Sequence, residues 1–368
     1  MKEAIIHAGP RVEITESPIP TPNASQVVIK VIVSGTNPKD WKYTEWTDKP
    51  FNHGDDIAGT IHAVGSDITE FKPGDRVAAF HEMNTPGGSF AEYALAWAHT
   101  TFHIPKKTSF EEAATLPLAF MTAALGLYHS LRLPLPFIPQ PPSPQKTPLL
   151  IYSGASAVGA FAIKLARLSD IHPIIAVAGN GIPFVEKLLD PSKGDMIIDY
   201  RLGNDAVVKG IKEAVKKSCG EQGKLEYAFD AATYKGSWDN ISNAMDGKGA
   251  ATFVLPDFLG KGLPESLETS MTYVGAVHKD KEGMAAAAKE FGDAVKQGEG
   301  EMALGAKEFG FVWFRLLSRG LQEGWMTGHP FEVVKGELGG LETALVDLKA
   351  GKASAVKFVV RVGESEGL

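Results

Sequence analysis

The chain has 368 residues, 44% of them hydrophobic and 22% charged, a length and composition that suit a globular protein with two cores. Its formal net charge is −7, and no basic run or basic patch interleaved with aromatics occurs, which argues against nucleic acid as a partner. Cys219 is the single cysteine, so no internal disulfide forms; Met1 is followed by a strand-like pattern rather than a signal peptide, and no apolar run reaches membrane-spanning length. A cytoplasmic setting without a membrane partner is expected.

Residues 1 to about 120 read as short strands such as Gln26 to Val33, divided by turns bearing Pro and Gly. Closely spaced glycines in Gly54 to Gly65 predict a bulged or strongly curved strand of a partly closed barrel. Glu111 to Leu131 has helical character, interrupted near Pro117. Seven of the fifteen residues from Pro134 to Pro148 are proline, which predicts a stiff loop leading into a core strand. From Leu149 the pattern alternates. Strands are expected at Leu149–Ser153, Pro173–Ala178, Met196–Tyr200, Leu225–Asp230, Gly249–Leu255 and Met271–Ala276, with helices among them. That alternation predicts a doubly wound parallel sheet. Helices Ala285–Gln297, Trp313–Glu323 and Leu341–Lys349 and a strand Ala355–Val362 follow.

Gly154, Ser156 and Gly159 fill the three slots of a G-x-G-x-x-G fingerprint, with Ser in the middle. A turn of this kind at a helix start binds a pyrophosphate through backbone N–H groups, which makes Ser153, Gly154, Ala155, Ser156, Ala157, Val158 and Gly159 candidate cofactor residues. On the motif alone an ordinary strand–helix connection is equally open. The second strand ends in Ala178, Gly179, Asn180 and Gly181, without the acid that would bind a ribose 2′-hydroxyl. Lys187, Tyr200 and Arg201 supply donors and positive charge at the same corner, so a 2′-phosphate, and hence NADPH, is expected. Leu255, Val274 and Gly275, toward the ends of the last two strands, complete the cofactor set.

Other chemistries are poorly supported. A single cysteine rules out a Cys₄ zinc site, and His99 and His103 flank a strand-like segment without an evident third ligand, so no metal is expected. Gly154 to Val158 lacks the closing glycine of a serine-hydrolase elbow, and no P-loop lysine follows the glycines.

Several segments together resemble the medium-chain dehydrogenase/reductase superfamily, in its zinc-free quinone and enoyl reductase branch. Asn37-Pro38-Lys39-Asp40-Trp41-Lys42 is similar to the branch's N-P-x-D-x-K segment. Gly54 to Gly65, Phe71 to Val77, Gly87 to Tyr93 and the 149–159 turn resemble its other motifs, and the tail and proline-rich loop resemble fungal trans-acting enoyl reductases of polyketide synthases. The resemblance implies a GroES-like β-barrel domain from residues 1–120 and 286–368, and a Rossmann NADPH-binding domain from 121–285. In zinc-using relatives the positions of Asn37, Asp55 and Leu118 hold Cys, His and Cys, so the resemblance implies a reaction without zinc. It further implies hydride addition to an enone, an enoyl-thioester or a quinone, with Lys42, Asn37 and Tyr43 as candidates to hold the developing oxyanion. Lys42 is the first choice, its bland alternative being a salt bridge with Asp40. An acyl carrier protein of a polyketide synthase is the partner of the trans-acting version. A protein that binds NADPH without turnover is the non-enzymatic alternative.

Overall fold

The computed structural model describes residues 1–138, 147–234, 236–279 and 306–362. The chain divides into two compact units, one from Met1–Met121 and Gly305–Leu368, the other from Thr122–Leu304. The expected helix at 285–297 and most of the proline-rich loop lie outside the described residues.

The first unit starts with an antiparallel hairpin, β1 (Lys2–His7) and β2 (Arg11–Glu16). Strands β3 (Gln26–Gly35), β4 (Asp56–Val64), β5 (Arg76–Phe80), β6 (Tyr93–Trp97) and β7 (Thr101–His103) follow. After the second unit the chain returns as β14 (Phe331–Val334) and β15 (Lys357–Arg361). The sheet order is β14-β15-β3-β4-β5-β7, with β6 also on β3, so the last strand of the chain pairs with one of the first.

The expected bulging of β4 is present: its register with β3 shifts between Val28 and Ile29 and again between Val31 and Val33. Gly59 lies opposite Val31 at the second shift, where a Cβ would stand 2.1 Å from the Lys30 carbonyl oxygen. Only glycine lets the backbones approach this closely. Val27, Ile29, Val31, Ile57, Ile61 and Phe90 pack inside the curved sheet with Leu341 and Leu345 of helix Leu341–Lys349. Helix Ala306–Glu323 begins seven residues before the expected start at Trp313 and covers β7, where Phe314 stacks on Phe102 with ring centroids 5.3 Å apart. Its Arg315 donates to the carbonyls of Ala98, His99 and Thr101, and Ser318 donates to that of His103.

The helical stretch around Pro117 is broken as expected, into Phe110–Ala113 and Pro117–Ala124, with a wider turn at Leu125–Ser130. The second unit is a six-stranded, wholly parallel sheet of β8 (Leu149–Tyr152), β9 (Ile174–Ala178), β10 (Met196–Asp199), β11 (Tyr227–Asp230), β12 (Gly249–Phe253) and β13 (Leu267–Met271). Its order, β10-β9-β8-β11-β12-β13, reverses direction at β8 and β11. The last strand is misplaced in the sequence reading. Leu267–Met271 pairs with β12, whereas the apolar run Val274–His278 is a buried 3₁₀ turn. Short apolar runs do not distinguish strand from buried turn.

Among the described residues, no helix is long and apolar enough to cross a membrane. Gly59→Ala is expected to lower the unfolding free energy by at least about 2 kcal/mol in urea titration, because backbone must move. A loss below about 0.5 kcal/mol would show that the bulge does not need glycine.

Candidate active site

In the first unit the chemistry gathers where helix Pro38–Thr47 meets the start of β4. Pro38 sits at the start of the helix, and the Asn37 N–H donates to Asp40 Oδ2 at 2.7 Å, which fixes the first turn. Lys39 then turns inward. Its Nζ lies 2.6 Å from Asp55 Oδ2 and 3.0 Å from Asp40 Oδ1, and donates to the carbonyl of His53. The Lys39 side chain is 14% exposed, Asp55 1% and Asp40 0%.

One ammonium cannot neutralise two buried carboxylates. Burial pushes Asp40 up to about 7 against the pull of Lys39, and Asp55 adds to the rise. Burial likewise pushes Asp55 up to about 6, again opposed by Lys39. Burial alone would lower Lys39, but the two carboxylates hold its ammonium well above the ordinary range. Burial and the Lys39 charge push the neighbouring His53 imidazole down to about 4, against the backbone of Lys49 and the side chain of Asn84.

A second buried group lies beside it. Asp56 Oδ2 accepts from Asn37 Nδ2 at 2.8 Å and from Lys357, while its Oδ1 accepts the Leu118 N–H at 2.7 Å. Lys357 also donates to Asn37 Oδ1 at 2.9 Å. Both polar atoms of the Asn37 amide are therefore engaged within the protein.

These contacts decide how a zinc ion would fare at Asn37, Asp55 and Leu118. An ammonium already faces Asp55, the Asn37 amide is held by Asp56 and Lys357, and Leu118 brings an apolar side chain. The donor set does not fit zinc. Among the described residues, no group of three His, Cys, Asp or Glu could hold a metal ion.

Lys42 and Tyr43 are half-buried on the same helix. Lys42 Nζ lies 5.7 Å from the centre of the Trp41 ring, and the Tyr43 ring lies 5.1 Å from that of His53. Asp40 has Lys39 as an ion partner. Sequence reading passed over Lys39 because it fills the variable slot of N-P-x-D-x-K. The available signal was the Asp55-Asp56 pair leading into an apolar strand, since two buried carboxylates need cations.

In the second unit the turn after β8 has the form expected of a phosphate loop. Ser153 is left-handed at φ 64°, Gly154 N–H donates to the Val177 carbonyl at 2.9 Å, and helix Ala157–Leu168 begins three residues later. Ser156 caps that helix, its Oγ accepting the Gly159 N–H at 3.0 Å. A Cβ on Gly159 would stand 2.3 Å from the Ser153 carbonyl oxygen, so glycine is required there. A Cβ on Gly154 would meet nothing closer than 3.3 Å. The first-turn N–H groups of Ala157 and Val158 have no helical carbonyl behind them, and Ala155 lies in the turn itself. This arrangement fits a dinucleotide pyrophosphate.

At the neighbouring corner Asp199 pairs in register with Ala178, the end of β9. Arg201 is clamped to Asp199 by contacts of 2.6 to 3.1 Å and donates to Asn180 Oδ1 at 2.8 Å. Hydrogen bonds from Arg201 hold the Asp199 carboxyl below its ordinary range. The Tyr200 ring lies against Gly179, where a Cβ would come within 2.5 Å of it. Lys187 is exposed just beyond the short helix Ile182–Val185. Asp199, absent from the sequence reading, orients the arginine. Leu255 N–H points at Thr233 Oγ1, and Val274 and Gly275 open the 3₁₀ turn after β13.

Comparison with known proteins places this geometry. The alcohol dehydrogenase GroES-like domain family matches residues 23–106. A trans-enoyl reductase of Gibberella fujikuroi is 43% identical over 340 residues, covering 92% of this chain and 91% of that protein. A trans-enoyl reductase of Aspergillus sclerotiorum is 31% identical, covering 98% and 100%. An alcohol dehydrogenase superfamily protein from Novosphingobium aromaticivorans shares the fold, with a TM-score of 0.72 at 19% identity over 99% of this chain and 100% of that one. The chain belongs to the medium-chain dehydrogenase/reductase superfamily. Within it, the chain is an oxidoreductase of the enoyl reductase branch, a family whose chemistry implies a nicotinamide cofactor.

The raised Asp40 and Asp55 have a consequence for stability. Their folded-state pKa values exceed those of the unfolded chain, so the native state binds more protons and stability falls as pH rises from about 4 through about 7. Asp40→Asn should flatten that decline in urea titrations at a series of pH values; parallel curves for variant and wild type would contradict the assignment.

Proposed function

We propose that the protein is an NADPH-dependent, zinc-independent enoyl reductase that saturates an α,β-unsaturated thioester presented by the acyl carrier protein of a polyketide synthase. The observation that carries this reading is the Lys39 ammonium seated against Asp55 and Asp40, where zinc-using relatives have a metal ligand. Zinc-using relatives activate an alcohol by a Lewis acid on its oxygen, and this donor set does not suit the ion that would do so. An enoyl thioester brings its own electron acceptor, because negative charge delocalises onto the thioester oxygen as the β-carbon gains hydride. The similarity to trans-enoyl reductases supports the carrier-bound form of the substrate.

A nicotinamide bound at the β8 turn would supply the hydride. Ala157, Val158 and Ser156 would hold its pyrophosphate, and Arg201, oriented by Asp199 and Asn180, would meet a 2′-phosphate alongside Tyr200 and Lys187. Lys42 and Tyr43 are the donors assigned to the thioester oxygen, with the Asn37 amide committed to holding Asp56 and Lys357. Free enones and quinones are the competing substrates, and binding of NADPH without turnover is the competing non-enzymatic role.

Steady-state cofactor oxidation after chelator treatment tests the reading. A carrier-bound enoyl thioester should exceed its free thioester, a quinone and an enone in kcat/KM, and preference for the quinone would contradict it. Arg201→Ala should raise KM for NADPH about tenfold or more while leaving KM for NADH nearly unchanged. Equal effects on the two cofactors would remove Arg201 from 2′-phosphate recognition.

A further inference from the structure

In an open parallel sheet, ligands bind beyond the carboxyl ends of the strands at the point where strand order reverses. Here that point is β8 beside β11, and Tyr152 at the end of β8 pairs in register with Asp230 at the end of β11. The glycine turn leaves from one of these ends. From the other leaves a segment with its own hydrogen-bond system, which no sequence motif indicated.

Asp230 is fully buried. Its Oδ1 accepts the N–H groups of Thr233 at 2.8 Å and Ala232 at 3.2 Å, and its Oδ2 accepts from the Ser237 hydroxyl. Burial pushes the carboxyl up to about 6, against these three donors. The carboxylate bends the chain so that Thr233 is left-handed at φ 49°. A β-branched residue is an outlier there. The held threonine is 1% exposed, and its hydroxyl oxygen accepts the N–H of Val254 at 3.1 Å and of Leu255 at 3.4 Å, just past the end of β12. The Ala231 N–H donates to the Tyr152 carbonyl at 3.1 Å, which ties the same segment to the residue before the glycine turn. Three adjacent strand ends are thus fastened to one another, β11 to β12 through the strained Thr233 and β8 to β11 through Ala231. Strain of this kind persists where the surrounding structure over-determines it, and it concentrates at ligand sites.

We propose that Asp230 and Thr233 are positioning residues for the nicotinamide cofactor: Asp230 sets Thr233 in its left-handed conformation, and the Thr233 hydroxyl fixes residues 254–255 at the carboxyl edge where the cofactor binds. This rests on the nicotinamide-reductase reading. The device stores conformational strain in the protein in exchange for a fixed edge, so relieving the strain separates its two effects.

Thr233→Gly removes the hydroxyl and suits the left-handed backbone, whereas Thr233→Ser retains the hydroxyl. The Gly variant trades two hydrogen bonds for relief of the backbone strain and should melt within about 5 °C of wild type, yet bind NADPH about tenfold more weakly in fluorescence titration because residues 254–255 are no longer held. Hydrogen exchange at the Val254 and Leu255 amides should rise in the Gly variant, and Thr233→Ser should recover most of the affinity. NADPH binding by the Gly variant within about twofold of wild type would overturn the proposal even where exchange at 254–255 rises. So would an affinity loss that only follows a lowered melting temperature. If wild type binds neither NADPH nor NADH, the reductase reading fails and the positioning role falls with it; normal wild-type binding with an unaffected variant refutes the positioning role alone.

Discussion

The first unit depends on how one buried carboxylate is satisfied. Asp56 is inaccessible to solvent and collects the Leu118 N–H, the Asn37 amide and the Lys357 ammonium. These partners come from the start of one helix, the loop before another and the last strand of the chain. Leaving such a group unpaired would cost several kcal/mol, so the three segments have to arrive together. Joining Lys357 to Asp56 is how a strand more than 300 positions away becomes part of the same sheet, with β15 lying against β3 next to the site.

The adjacent carboxylate, Asp55, faces a different cation. Lys39 reaches it from the first turn of helix Pro38–Thr47, and Asp40 completes a cluster with more negative than positive charge. An ammonium tethered to the protein differs from a metal ion in a way that matters for chemistry: its charge is taken up by Asp55 and Asp40, and it has no open coordination position for a substrate oxygen. In the proposed zinc-independent reaction the substrate itself carries the group that accepts negative charge. The proposed enoyl thioester meets that requirement, and the parallel-sheet unit contributes a turn shaped for the dinucleotide.

Much of the fold was legible because it is written in repeating patterns. Alternating apolar runs from Leu149 onward indicated the doubly wound sheet, and glycine spacing at Gly54 to Gly65 indicated the bulged strand. The edge strand was not legible, because Leu267-Glu268-Thr269-Ser270-Met271 is largely polar while the buried turn after it is apolar. The site divides in the same way. The glycine turn after β8 has a local motif, and Arg201 stood out by its charge. Lys39 was invisible because its partner Asp55 stands beyond the end of its helix, Asp199 and Asp230 because their short-range hydrogen bonds follow no motif, and Thr233 because its role comes from an unusual backbone angle. Asn37 shows the reverse: a motif residue visible at once, whose amide is turned to structural partners.

In the proposed reaction hydride passes from a nicotinamide to the β-carbon of an activated double bond, and the α-carbon is then protonated. Product mass spectrometry with NADPH carrying deuterium in its transferable position, and a carrier-bound enoyl thioester in ordinary water, tests it directly. The expected product is a saturated thioester with one deuterium, located at the β-carbon, and the α-hydrogen drawn from solvent. An unreduced thioester beside oxidised cofactor, or a product with its carbonyl reduced and its double bond intact, would contradict it.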